Sequence, residues 1–350
     1  MYLKNHVKRF YPLLLILVVF VVWKVREKEN PLLLQFIEIR GTTMGTIGYS
    51  VKYFNEDGKN FGDEIDSLLK VWNLSLSTYI PESEISRFND GSGCFIFESD
   101  YFLPVLRASK EVYEISNGAF DPTVGPLVNA WGFGPDKSMA PDSIAVDSLL
   151  HLVGFSNIRF DENKVCKQIP EIKLDFSAVA KGYAVDVIAD FLEGKGIENL
   201  LVEIGGELVC KGTKNEGKPW RTAIEDPSVE VYERKILAVV ELKDRAVATS
   251  GNYRNYYVKD GITYVHTINP STGYPITHTL ISASVFANNC MIADAYATAF
   301  MVLGLEKAKA LLDNNNSIDA YLIFREENGE IDTYVTEGIA QNIEKVDATD

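Results

Sequence analysis

Apolar and polar positions along this chain follow two rhythms. "FIEIRGTTMGTIGYSVKYF" (Phe36–Phe54) reads as two strands around a Gly/Thr turn, whereas "FGDEIDSLLKVWNLSLS" and "YFLPVLRASKEVYEIS" carry helical apolar spacing. The second of these helices is closed by Asn117-Gly118. "SAVAKGYAVDVIADFLEGKG" predicts a third helix, with small residues in its first turns and Gly194 and Gly196 at its end. "NLLVEIGGELVCKG" predicts a hairpin turning at or near Gly205-Gly206. Strands are expected at "WRTAIED", "RKILAVVEL", "AVATSG", "YRNYYVKDGITYVHTI" and "LISASVFA". A last helix is expected from about Asn289 to Leu312, then a strand at "IDAYLIFRE". Strand clusters separated by helices, without a regular βαβ rhythm, predict an α+β fold of mixed or antiparallel sheets packed with helices.

The first residues follow neither rhythm. Lys4, Lys8 and Arg9 precede an apolar run, Phe10–Trp23, that is shorter than the roughly 20 residues that span a bilayer comfortably. Basic flank and apolar run fit the hydrophobic region of a secretion signal, but bulky "VVWKVR" offers no small-x-small cleavage site. The reading is an uncleaved membrane anchor over residues 1–23 that holds the rest outside the cytoplasm; a cleaved signal and a buried helix are the alternatives. Residues 24–35 then form a charged linker, 36–340 one globular domain and 341–350 a polar tail.

Composition narrows the function. With 350 residues, 46% of them hydrophobic, the chain can bury a sizeable core. Its formal charge of −15 repels polyanions, and no Lys/Arg cluster offsets it, which disfavours nucleic-acid binding. Cys94, Cys166, Cys210 and Cys290 lie far apart without a CxxC, which disfavours a Zn site and a disulfide-dense scaffold but leaves room for one bridge.

Four stretches can carry chemistry. In "CMIADAYATAF", Asp294 and Thr298 stand four residues apart on an otherwise apolar helical face, so both oxygens can converge on one point. Oxygen donors without nearby His or Cys suit Mg²⁺ better than Zn²⁺; the competing account is a helix cap and a back-bonded threonine. In "LDFSAVAKGYAVD", Asp175 and Ser177 precede a helix start that offers free amides and Lys181 to an anion such as phosphate, or is simply a capped, close-packed helix. "GAFDPTVGPLVNAWGFGP" predicts a proline-stiffened aromatic loop suited to a planar ligand, or plain packing. In "YVHTINPSTGYP", His266 ends a strand beside a turn, where a ring nitrogen can face a substrate.

Taken in order, "GTTMGT", "LSTYIPESEISRFN", "GAFDPTVGPLVNAWGFG", "DFSAVAKGYAVD", "VEIGGEL", "ATSGNYRNYY", "HTINPSTGYP" and "ADAYATAFMVLG" closely resemble the ApbE family of FAD:protein FMN transferases. The resemblance implies an ApbE-like (T-fold-like) architecture and a Mg²⁺-dependent transfer of FMN from FAD to a Thr or Ser hydroxyl of a target protein, releasing AMP. It implies targets such as flavin-carrying subunits of membrane redox pumps, and an outward, periplasmic, membrane-tethered location. FAD hydrolysis to FMN and AMP, and non-catalytic FAD binding at a membrane, are the rival functions.

Carried over by position, Met44, Tyr79, Ala119, Phe120, Asp121, Asp175, Lys181 and Ile268 are the implied FAD contacts. Asp294 and Thr298 are the implied metal ligands, with Ala178 and Ala297 able to add only backbone carbonyls, and His266 is the implied catalytic base, a role Asp294 or Asp175 can share. Three positions depart from the family: Asn269 stands where an Asp is common, no lipid-bearing Cys follows the anchor, and alanines at 178 and 297 make a sparser metal shell.

Overall fold

In the computed structural model, residues 34–134, 140–227, 229, 235–253 and 255–346 are described, together with Val19 and Phe20. Apart from Val19 and Phe20, the expected anchor lies outside the described residues, as does most of the linker. Among those described, no helix is long and apolar enough to cross a membrane.

The strand pair β1 (Gln35–Thr43) and β2 (Ile47–Asn55) is followed by helices α1 (Gly62–Leu76) and α2 (Glu84–Asp90). A short strand β3 (Cys94–Ile96) leads into α3 (Phe102–Ile115), α4 (Gly125–Ala130) and α5 (Ser143–Leu150). Strands β4 (Ile158–Phe160) and β5 (Lys164–Lys167) precede α6 (Ala180–Gly194), then the hairpin β6 (Asn199–Ile204) and β7 (Glu207–Lys211). Next come β8 (Trp220–Glu225), β9 (Ile236–Leu242), β10 (Arg245–Gly251), β11 (Tyr256–Lys259), β12 (Ile262–Val265) and β13 (Leu280–Ala287). The last third holds α7 (Cys290–Leu303), α8 (Leu305–Leu312), β14 (Asp319–Arg325), β15 (Ile331–Val335), α9 (Glu337–Ala340) and β16 (Ile343–Lys345).

Eight described strands form the main sheet in the order β1-β2-β6-β7-β10-β13-β14-β15, and each of its pairings is antiparallel. The period of two sends successive residues to opposite faces. Leu200, Ala246, Val285 and Leu322 enter the core beneath α6 and α7, while Leu201, Val247, Phe286 and Tyr321 enter a second core covered by the sheet β16-β9-β8. The expected α+β fold is thereby observed. Helix α1 follows the same logic at its own period, burying Ile65, Leu69, Trp72 and Leu76 on one face. Helix α7 is buried almost all round and starts at Asn289, whose side chain accepts from the Ile292 amide.

Three boundaries differ from expectation. The single helix from Asn289 to Leu312 is broken at Gly304, whose φ of +76° suits glycine and lets the chain restart as α8. The expected proline-stiffened aromatic loop contains α4, which Pro126 opens from its first turn. The tail expected after residue 340 adds β16, paired with β9 through Ile343 and Val240, so the folded unit runs on to Lys345.

A disulfide joins Cys94 to Cys166 across β3 and β5, closing a loop of 72 residues, while Cys210 and Cys290 are buried thiols. Closing so long a loop contributes about 4 kcal/mol by chain-entropy reasoning. The Cys94→Ser/Cys166→Ser variant is therefore expected to unfold at lower denaturant, by about 2–4 kcal/mol in urea melts.

Candidate active site at the crossing of α6 and α7

Helices α6 and α7 touch at Gly182. A Cβ there would lie 2.2 Å from the Cys290 carbonyl oxygen and 2.9 Å from Asp294 Cβ, so only glycine permits this approach. The contact is held by side chains as well. Asp186 accepts from the Cys290 and Met291 amides at 2.7 and 2.8 Å and so caps the start of α7 from the neighbouring helix. Burial pushes its carboxyl up to about 7, despite these amides. Gly182→Ala is expected to wedge the two helices apart at a cost of about 1–3 kcal/mol, visible as a lowered urea midpoint.

The close approach places Asp294, only 2% exposed, against the first turn of α6. Its Oδ2 accepts from the Gly182 amide at 3.0 Å. In a regular helix that amide would go to the Ala178 carbonyl, four residues back, which instead receives no backbone hydrogen bond among the described residues. Asp294 Oδ1 lies 3.7 Å from Lys181 Nζ. The ammonium in turn donates to Glu207 Oε1 at 2.9 Å, at the start of β7. Burial alone would lower the lysine, but the Asp294 and Glu207 carboxylates outweigh it and hold the ammonium above its ordinary range. Burial, reinforced by Asp294, raises the Glu207 carboxyl despite Lys181. When both carboxyls are ionised, the cluster of two carboxylates and one ammonium carries one surplus negative charge. Thr298, one turn beyond Asp294, sits 3.3 Å from Ser250 Oγ on β10.

His266 follows β12 at the foot of the β11–β12 hairpin. Its Nδ1 lies 3.2 Å from the Asn255 carbonyl, an acceptor only, so the proton belongs on Nδ1 and the lone pair on Nε2. Burial lowers its pKa and the Lys181 ammonium lowers it further, against the opposing hydrogen bond to Asn255, so the neutral ring is favoured. Aromatic rings support the hairpin: Trp131 stacks on Tyr264 at 5.5 Å, Tyr257 on Tyr264 at 5.2 Å, and Phe133 meets the His266 ring at 6.3 Å. Asn269 accepts from the Ser271 and Thr272 amides. That turn needs an acceptor oxygen rather than a charge, so asparagine suffices there.

The other expected FAD contacts divide into two groups. Met44 holds the left-handed region at φ +50° in the β1–β2 turn, a costly conformation for a long side chain, and Tyr79 is 74% exposed. Asp175 is half-buried, tied through its amide to the Pro122 carbonyl at 2.7 Å. These three can present surface to a ligand. Ala119, Phe120, Asp121 and Ile268 are buried. The Asp121 oxygens are spent on Thr123 and the Phe155 amide, and burial raises its carboxyl. Ile268 packs with Leu127, Trp131 and Val146. For these residues the side chain builds the loop from within, and only backbone remains to meet a ligand.

A family model described as the ApbE family matches residues 42–322. The FAD:protein FMN transferase of Vibrio cholerae serotype O1 is 42% identical over 302 residues, covering 84% of this chain and 89% of that protein. Among solved structures, the flavin transferase ApbE from Vibrio cholerae superposes with a TM-score of 0.79 at 38% identity, covering 87% of this chain and 98% of its own. The apo flavinyl transferase ApbE of Pseudomonas stutzeri gives 0.79 at 37% identity, covering 88% and 97%.

The chain belongs to the ApbE family. It is an enzyme, a transferase, and the ApbE match spans each expected site residue from Met44 to Thr298.

Within this ApbE site, the residues present suit a hard cation. Asp294 and Thr298 offer oxygens one helical turn apart, and the Ala178 carbonyl is free of the helix ladder. Ala297 differs: it is fully buried in mid-helix, where its carbonyl is already an acceptor in the ladder, so it gains no support as a ligand. No cluster of three or more His, Cys, Asp or Glu suited to a metal occurs among the described residues. Glu207, Asp186 and Ser250 were not expected from sequence. Each lies within a segment that carries the ApbE resemblance, "DFSAVAKGYAVD", "VEIGGEL" or "ATSGNYRNYY", but nothing in its spacing singled it out.

Proposed function

We propose that the chain transfers FMN from FAD to a Thr or Ser hydroxyl of a target flavoprotein, with Mg²⁺ as cofactor and AMP as the leaving product. The observation that carries this reading is the ApbE match across each expected site residue, supported by Asp294 and Thr298 standing one helical turn apart on α7 and by an Ala178 carbonyl that the Gly182 amide leaves for Asp294. When bound, a divalent ion supplies charge neutralisation to the pyrophosphate, which otherwise repels a nucleophile. Asp294, Thr298 and the Ala178 carbonyl would hold that ion. Lys181, held by Glu207 at the first turn of α6, would offer the phosphates a hydrogen-bond donor beside the cation.

His266 Nε2 takes the proton of the acceptor hydroxyl as its oxygen attacks the FMN phosphorus. The P–O bond of the pyrophosphate breaks, and AMP departs with the bridging oxygen. Met44, Tyr79 and the backbone around Ala119–Asp121 are proposed to flank FAD, with Asp175 and Ile268 along the same wall. If the deprotonated ring is the base, its lowered pKa keeps it competent on the acid side. The acid limb of kcat/KM is therefore expected below pH 6.5, the ordinary histidine value.

The apolar run Phe10–Trp23 supports an outward-facing, membrane-tethered location, and the Cys94–Cys166 bridge agrees, because disulfides persist in oxidising compartments. Candidate targets are flavin-carrying subunits of membrane redox pumps. The test is to mix the protein with FAD, Mg²⁺ and such a carrier domain. Flavin fluorescence on the denatured carrier supports transfer; AMP release at the same rate without any carrier would instead make the protein an FAD hydrolase.

A further inference from the structure

Glu207 is the one member of the charge cluster that no sequence expectation included. Its side chain is 3% exposed, and its Oε1 accepts from Lys181 at 2.9 Å while Asp294 stands 3.7 Å from the same ammonium. Its Oε2 is buried without a hydrogen-bond partner. Such a buried ion pair is a poor stabiliser, because desolvation offsets its attraction, so stability does not explain its presence here. The preceding turn keeps the carboxylate in place. Gly205 has φ +62°, and a Cβ there would lie 2.8 Å from Ile47 Cγ2 and 3.8 Å from Lys181 Cδ.

Resting on the metal reading above, we propose that Glu207 is a positioning residue that engages Lys181 and so leaves the Asp294 carboxylate available to a divalent cation. Asp294 and Lys181 attract each other across 3.7 Å. Without a second carboxylate, the ammonium has Asp294 as its nearest partner, and the two cancel. With Glu207 present, Lys181 is already neutralised, and the charge of Asp294 is the surplus that binds a cation. Lys181 also stays fixed at the start of α6, where the phosphates of the substrate are proposed to lie.

The test is a double-mutant cycle read by metal binding. Mn²⁺ is titrated into the protein without FAD, so that losing Lys181 cannot act through the substrate, and free Mn²⁺ is followed by electron paramagnetic resonance. Glu207→Gln keeps the shape and the acceptor but removes the charge, and is expected to weaken Mn²⁺ binding at least about tenfold. Lys181→Met/Glu207→Gln is expected to restore wild-type affinity, because the competing ammonium goes with its partner. Weak binding that persists in the double variant, or Glu207→Gln affinity equal to wild type, overturns the proposal. Asp294→Ala in the same assay separates the two readings. If it abolishes Mn²⁺ binding while Glu207→Gln changes nothing, only the role of Glu207 fails; if it binds Mn²⁺ normally, the metal site itself is wrong.

Discussion

Asp294→Ala is expected to abolish FMN transfer, with a loss on the order of 10³-fold or more, since metal stabilisation of a phosphoryl centre supplies several kcal/mol. The carboxylate also accepts from the Gly182 amide, so alanine orphans a buried donor at a cost of about 1–3 kcal/mol. Asp294→Asn removes that ambiguity. Its amide oxygen can still accept from Gly182, yet it carries no charge for a cation. Both variants are expected to lose transfer while Asn keeps the urea midpoint near wild type. Wild-type transfer by the folded Asn variant in Mg²⁺ would remove the metal from the mechanism.

His266→Ala is the second large effect. The ring donates through Nδ1 to the Asn255 carbonyl and packs edge-on to Phe133, at the rim rather than the centre of the helix crossing. FAD affinity, followed by quenching of flavin fluorescence, should therefore change little. Transfer should fall by roughly 10²–10⁴-fold, the usual contribution of a positioned base. The residual rate should also lose its acid limb, because the group responsible for it is gone. A variant that turns over normally would move the base elsewhere, with Asp175 or Asp294 as the carboxylates to examine.

Local rhythm made the strands, the helices and the α+β class legible. Misread boundaries share a cause: apolar continuity from Met291 to Leu312 conceals the change of direction at Gly304, and prolines around α4 disguise a helix as a loop. For the site, spacing found the Asp294/Thr298 pair because i and i+4 share a helical face. It had no means of finding Glu207, which reaches Lys181 from a strand, or Asp186, which caps a helix other than its own. Resemblance brought in Ala119, Phe120, Asp121 and Ile268 as ligand contacts, but a motif does not say whether a side chain or its backbone is the part that matters. Burial answers that for these four: their side chains belong to the interior.

Lys181, Glu207 and Asp294 come from α6, β7 and α7, and Asp294 is the last of them along the chain. Lys181 and Glu207 form a one-to-one ion pair, which by itself has no charge left over for a cation. The uncompensated carboxylate arrives only when the final third of the chain has been laid against the sheet. On the metal reading proposed above, a chain truncated before α7 is expected to bind no divalent ion at this site, because Asp294 and Thr298 are both missing.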